Sequence, residues 1–142
     1  MLVFIFITIN LYLIFSSHSG LRHIILNRYF PSSLTVEAWV NPSSLPTYGE
    51  IRGIVDTRDN LGAATSGYVL ELWNDAGVQK IAWLSGPGGP AATYTLPVGQ
   101  WSHVAVAHDG TSQMARIYVN GNEIASGTSY AINNVVENLR IG

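Results

Sequence analysis

His103 and His108, five residues apart in "WSHVAVAHDG" with Asp109 beside the second, are the first residues whose types suggest chemistry. A shared metal, or a nucleophilic triad with Ser102, would need these side chains to converge. In a strand, five steps put the two rings on opposite faces and on the order of 16 Å apart. In a helix, five steps of about 100° turn them away from each other, unlike the i, i+4 histidines that bind zinc. Ser102 and His103 are neighbours, so they also face opposite ways in a strand, and no Gly-x-Ser-x-Gly elbow is present. The segment therefore reads as a strand. Val104 and Val106 face a core, Trp101 caps the start, and Asp109-Gly110 opens a turn.

Carboxylates offer a second kind of chemistry. Asp56, Asp59 and Asn60 in "DTRDN" cluster oxygen ligands at an expected strand end. Such a set suits a hard cation such as Ca²⁺ but supplies too few ligands alone. Asp and Asn are equally ordinary turn residues, with Arg58 between them left to solvent. Asp56 and Asp59 are three apart and leave on opposite faces if the strand persists, which does not suit a pair acting on one bond.

Binding chemistry centres on Trp73. Closing "GYVLELWNDAGVQKIAWLSG" as a hairpin through Asn74 to Gly77 sets Trp73 opposite Val78, Glu71 opposite Lys80 and Tyr68 opposite Trp83. Tyr68, Leu70, Leu72, Ile81 and Trp83 then form one core layer, while Trp73, Glu71 and Lys80 share the other face. Sugars are held by aromatic faces flanked by a few polar groups, so these three are the candidate ligand contacts. A covering loop would instead make Trp73 ordinary packing. Trp39, beside Glu37, poses the same choice and is expected to be buried.

The elements that would position these residues are short strands bounded by Pro, Gly, Asn or Ser, the pattern of a sandwich or jelly roll. "LTVEAWVNP" turns Leu34, Val36, Ala38 and Val40 to one face, and Pro42 ends it. "GIVDTRD" reads as a strand running into a small-residue stretch. "RIYVNGNEIA" carries the strongest local signal, because Asn120 and Gly121 both tolerate the positive φ of a type I′ turn. Its register sets Val119 against Asn122, Tyr118 against Glu123 and Ile117 against Ile124, with Arg116 diagonal to Glu123.

Length and composition bound the rest. A chain of 142 residues suits one domain. Only 11% of it is charged and 47% is hydrophobic, as in a turn-rich β protein with largely covered sheets. A net charge of -2 without a Lys/Arg cluster argues against nucleic acid as a partner. The absence of Cys rules out disulfides and thiolate metal sites, and among secreted proteins it is easier to reconcile with a bacterial origin. Residues 1–19 support two readings. "MLVFIFITINLYLIF" lacks charged side chains, is too short for a comfortable bilayer span, and is followed by Ser17 and Ser19 at cleavage spacing, as in a signal peptide. Ile9, Leu11 and Leu13 also alternate with polar neighbours, as in an extra N-terminal strand. Residues 20–33 read as a connector, since Pro31 bars a helix from continuing.

"LPVGQWSHVAVAHDGTSQMARIYVNGNEIASG", with "LTVEAWVNP" and the terminal "NLRIG", resembles the laminin-G-like jelly roll of the concanavalin A-like lectin and glucanase superfamily, from about Leu34 to Gly142. The resemblance implies an all-β, antiparallel two-sheet sandwich, usually extracellular, that binds glycans or proteins, often with calcium at the rim. Glucanases on this fold carry Glu-x-Asp-x-x-Glu or a close variant, and no Glu here has Asp two residues later. His108 stands where the family commonly has Tyr. The chain stops where relatives continue, and their opening strand signature is unrecognisable before Leu34. These departures imply an incomplete sandwich, with open sheet edges through which copies would self-associate. The expected function is a non-catalytic recognition module, secreted or at the cell surface, for a glycan or an extracellular protein. The alternative is a spacer in a larger bacterial adhesin or surface protein.

Overall fold

The computed structural model describes residues 2–8, 15–16, 32–58, 67–132 and 139–142, the first two of these segments by their backbone. All its regular elements are strands, arranged in two antiparallel sheets as expected. The six-stranded sheet runs in the order β10 (Asn122–Thr128), β9 (Met114–Val119), β8 (Ser102–Asp109), β3 (Ser33–Asn41), β1 (Leu2–Thr8) and β2 (Phe15–Ser16). The five-stranded sheet runs β11 (Arg140–Ile141), β4 (Ile51–Asp56), β5 (Tyr68–Asp75), β6 (Val78–Ser85) and β7 (Ala91–Thr93). The candidate connector lies outside the described residues apart from Ser32 and Ser33.

Side-chain alternation builds the interior. β3 turns Leu34, Val36, Ala38 and Val40 inward, β8 adds Val104 and Val106, and β9 adds Ala115, Ile117 and Val119. From the facing sheet come Tyr68, Leu70, Leu72, Ile81 and Trp83, all buried. Enclosing each large apolar side chain contributes roughly 1.5–3 kcal/mol. Trp83 lies stacked on Tyr68 with ring centroids 5.0 Å apart.

Both hairpins depart from the sequence reading in instructive ways. In the β9–β10 hairpin, Asn120 and Gly121 take φ of 50° and 80°, and Val119 and Tyr118 pair with Asn122 and Glu123 as expected. A bulge at Ile124 then brings Ala125, not Ile124, opposite Ile117. The predicted diagonal pair forms, with Arg116 Nη1 3.1 Å from Glu123 Oε2.

The β5–β6 register is corrected by two residues. Asp75 faces Val78, Trp73 faces Lys80, Glu71 faces Ala82 and Tyr68 faces Ser85. The turn is Ala76-Gly77, with φ of 52° and 93°. A left-handed alanine costs roughly 1–2 kcal/mol. It is tolerated because a two-residue turn of positive φ matches the twist of its strands. Asn74 stays in the strand, where its Oδ1 accepts the Gly77 N–H at 2.8 Å and its amide donates to the Pro46 carbonyl at 3.0 Å. A shift of two preserves every face, so the core layer is the predicted one although the partners differ.

Candidate functional site

The outer face of the five-stranded sheet carries the residues singled out for binding. One row across it runs Ile51, Trp73, Lys80, Thr93, and the next runs Gly53, Glu71, Ala82, Ala91. Trp73 is half-buried between Ile51, which is exposed, and Lys80. The Lys80 ammonium sits 5.1 Å from the centre of the indole and 2.6 Å from Asp75 Oδ2. The predicted Glu71–Lys80 pair is therefore replaced by a cation–π contact from Lys80 to Trp73, worth about 0.5–1 kcal/mol at a partly exposed site.

Glu71 is 2% exposed, in the middle of the sheet between the small residues Gly53 and Ala82. Its partner is Arg58, whose Nη2 lies 3.3 Å from Glu71 Oε2. Burial pushes the Glu71 carboxyl up from its ordinary pKa; the Arg58 charge pulls it down and the Asp56 charge pushes it up. From the sequence, solvation is one of the readings open to Arg58. It is instead the hub of this face, because it also binds Asp56 through its own backbone N–H at 2.8 Å and its Nε at 3.2 Å. Arg140, brought in by β11, reaches Asp56 Oδ2 at 3.9 Å and the Arg58 carbonyl at 3.4 Å.

Of the calcium set, Asp56 is described, and it faces two guanidinium groups whose charge opposes a divalent cation at this carboxylate as placed. Asp59 and Asn60 lie outside the described residues. Among the described residues no group of three His, Cys, Asp or Glu side chains converges.

The two histidines point to opposite sides of β8. His103 faces outward, its Nε2 3.3 Å from Glu37 Oε2 and its ring 5.3 Å from that of Trp39. Trp39 is 42% exposed, against the expectation of burial. His108 faces inward and is buried against Trp83. There it joins a polar network that spans the two sheets. The Ser85 hydroxyl donates to the Tyr130 carbonyl at 2.8 Å and accepts the Tyr130 N–H at 3.0 Å. Its 2.7 Å bond with Ser129 then draws the Ser129 proton. Ser129 Oγ accepts from Trp83 Nε1 at 3.1 Å, so His108 Nδ1, at 2.9 Å, serves as its second donor. This assignment leaves the fewest groups unpaired, and it makes His108 neutral, with the lone pair on Nε2 meeting no partner among the described residues. No sequence signal links His108 to Ser129, since the contact depends on how β10 ends.

The laminin-G family model described as the concanavalin A-like lectin/glucanases superfamily matches residues 18–142. The chain belongs to this superfamily. Its match begins ahead of Leu34, where the sequence motifs first become recognisable. Among solved structures, the superfamily fold is shared with the native heptameric SAP-like pentraxin of Limulus polyphemus, at 14% identity and a TM-score of 0.55 over 78% of this chain and 52% of the pentraxin. The chain thus spans about half the length of that pentraxin. Domain 4 of AbnA, a GH43 extracellular arabinanase from Geobacillus stearothermophilus solved with arabinotriose, aligns at 16% identity and a TM-score of 0.49 over 89% of this chain and 68% of that one. No curated protein matches the sequence. Among the described residues of this superfamily member, no helix is long and apolar enough to cross a membrane.

Proposed function

We propose that this chain is a non-catalytic recognition module that acts outside the cell and binds carbohydrate on the outer face of its five-stranded sheet. The observation that carries this reading is the half-buried Trp73 set between exposed Ile51 and the polar side chain of Lys80. Such a row combines an aromatic surface for the C–H groups of a sugar with a cationic donor for its hydroxyls. Glu71 acts from beneath, as a buried charge that fixes Arg58.

The carboxylates of this face support binding over hydrolysis. A retaining glycosidase needs one protonated and one ionised carboxyl about 5 Å apart with the glycosidic bond between them. Here Asp56 and Glu71 hold Arg58 between them. A glycan array probed with the wild-type chain and with Trp73→Ala, with and without Ca²⁺, tests the proposal. Binding of at least one glycan class, weakened in the variant, is the expected result. Absence of any signal would overturn the carbohydrate reading and favour a spacer in a larger surface protein.

A further inference from the structure

The six-stranded sheet has its own outer surface, with a different set of side chains. The pairing of β3 with β8 puts Trp39 beside His103 and Glu37 beside Ala105, and β9 extends the second row with Tyr118. Alternation places these residues on the side away from the core. Their inward neighbours on β3, Ala38 and Val40, have no exposure at all, while Trp39 is 42% exposed. An indole left this open in mid-strand gives up burial that the sandwich could have used. It is supported, however: the His103 ring stands at 51° to it, and His103 is itself tied to Glu37 at 3.3 Å.

A second open indole lies at the same end of this surface. Trp101 is 40% exposed and immediately precedes Ser102, which is wholly buried, so Trp101 shares the outward side with His103. Its position is held from both sides along the chain, by the Gly99 N–H bonded to the Pro42 carbonyl at 2.9 Å and by the pairing of Ser102 with Val40. Both carboxylates nearby have partners: Glu37 lies against the His103 ring nitrogen, and Glu123 is paired with Arg116. A surface with flat aromatic groups and hydrogen-bonding edges is complementary to a neutral polyhydroxylated chain. Among the described residues of this face no cluster of cations awaits an anion, and Arg116 is already tied to Glu123.

We propose that this outer face of the six-stranded sheet is a second carbohydrate-binding surface, independent of Trp73, on which Trp39 and Trp101 take the rings of a neutral glycan. The His103–Glu37 pair bonds the hydroxyls of that glycan and sets the tilt of Trp39.

Affinity electrophoresis tests this directly. Native gels containing soluble neutral polysaccharides (hydroxyethylcellulose, galactomannan, arabinan) or the polyanion polygalacturonate would be run with wild type, Trp39→Ala, Trp39→Phe, Trp101→Ala and Trp73→Ala, each with its thermal melt. The expected result is retardation by at least one neutral polysaccharide, weakened about tenfold or more by Trp39→Ala and Trp101→Ala and partly restored by Trp39→Phe. Trp73→Ala should leave that retardation measurable. The proposal is overturned by no retardation in any neutral gel, by retardation in polygalacturonate alone, or by retardation that Trp39→Ala leaves unchanged. Loss with Trp73→Ala alone would uphold the five-stranded face and reject this one. Because Trp39 is 42% exposed, its replacement should lower the melt only slightly, and Trp39→Phe controls for any loss of folding.

Discussion

Acidification from about pH 7.5 to about pH 5 should weaken the sandwich through His108, and His108→Gln should remove that part of the loss. The imidazole is 3% exposed, its Nδ1 is committed to Ser129, and its Nε2 faces no partner among the described residues. A proton taken up at Nε2 would be a buried charge. Burial therefore holds the pKa below the usual 6.5, against an upward pull from Asp109. With the folded value the lower one, the unfolded chain takes up the proton first. Stability is full above about pH 6.5 and falls as the pH drops from there through the folded pKa. One proton sets a ceiling of about 1.4 kcal/mol per pH unit, or about 2 kcal/mol between pH 6.5 and pH 5. Glu71 acts with the opposite sign. Its pKa is raised, chiefly by burial, so the folded chain binds that proton first and gains stability as the pH falls. Gln at position 108 can still bond Ser129 and leaves Glu71 in place, so comparing the two proteins isolates the histidine. Urea denaturation at closely spaced pH values should show the wild type losing stability more steeply than the variant, with the gap opening below about pH 6.5. Parallel curves down to pH 5 would refute the neutral buried imidazole.

Other outcomes follow from the same geometry. Arg58→Ala should cost about 3 kcal/mol by leaving Glu71 buried without its partner, and Glu71→Leu added to it should recover most of that, as read by chemical denaturation. Gly89→Ala should destabilise by more than about 2 kcal/mol, because its Cβ would lie 2.1 Å from the Trp83 carbonyl oxygen. Gly121→Val, in a turn with φ of 80° and open space around it, should cost about 1–2 kcal/mol through backbone strain alone. Excess Ca²⁺ against EDTA should leave the melting temperature unchanged if Asp56 keeps its arginines; a rise abolished by Asp56→Asn would show that the carboxylate exchanges them for the ion.

What was legible in the sequence was the alternation. It is a local property with a period of two, and it assigned the faces of β3, β5, β6, β8 and β9 correctly. Registers fared less well where one residue breaks the usual turn chemistry. Ala76 adopts positive φ in place of a Gly or Asn, and Ile124 is absorbed in a bulge, and neither event has a compositional signature. Long-range neighbours were invisible for a different reason. Arg58 reaches Glu71 across the β4–β5 connection, Arg140 arrives from the far end of the chain, and Trp39 meets His103 only because β3 lies next to β8. The candidate contacts Trp73, Glu71 and Lys80 do share one face, yet burial separates them: Glu71 lies under the surface while Trp73 and Lys80 are partly exposed.

The most direct test of sheet-face recognition without chemistry is the indole N–H region of a ¹H–¹⁵N spectrum, recorded while a bound glycan is titrated in. The Trp73 resonance should move with saturation, while that of Trp83, sealed in the core and bonded to Ser129, should stay fixed. A moving Trp83 signal with a still Trp73, or shortening of the glycan during the titration, would contradict the account.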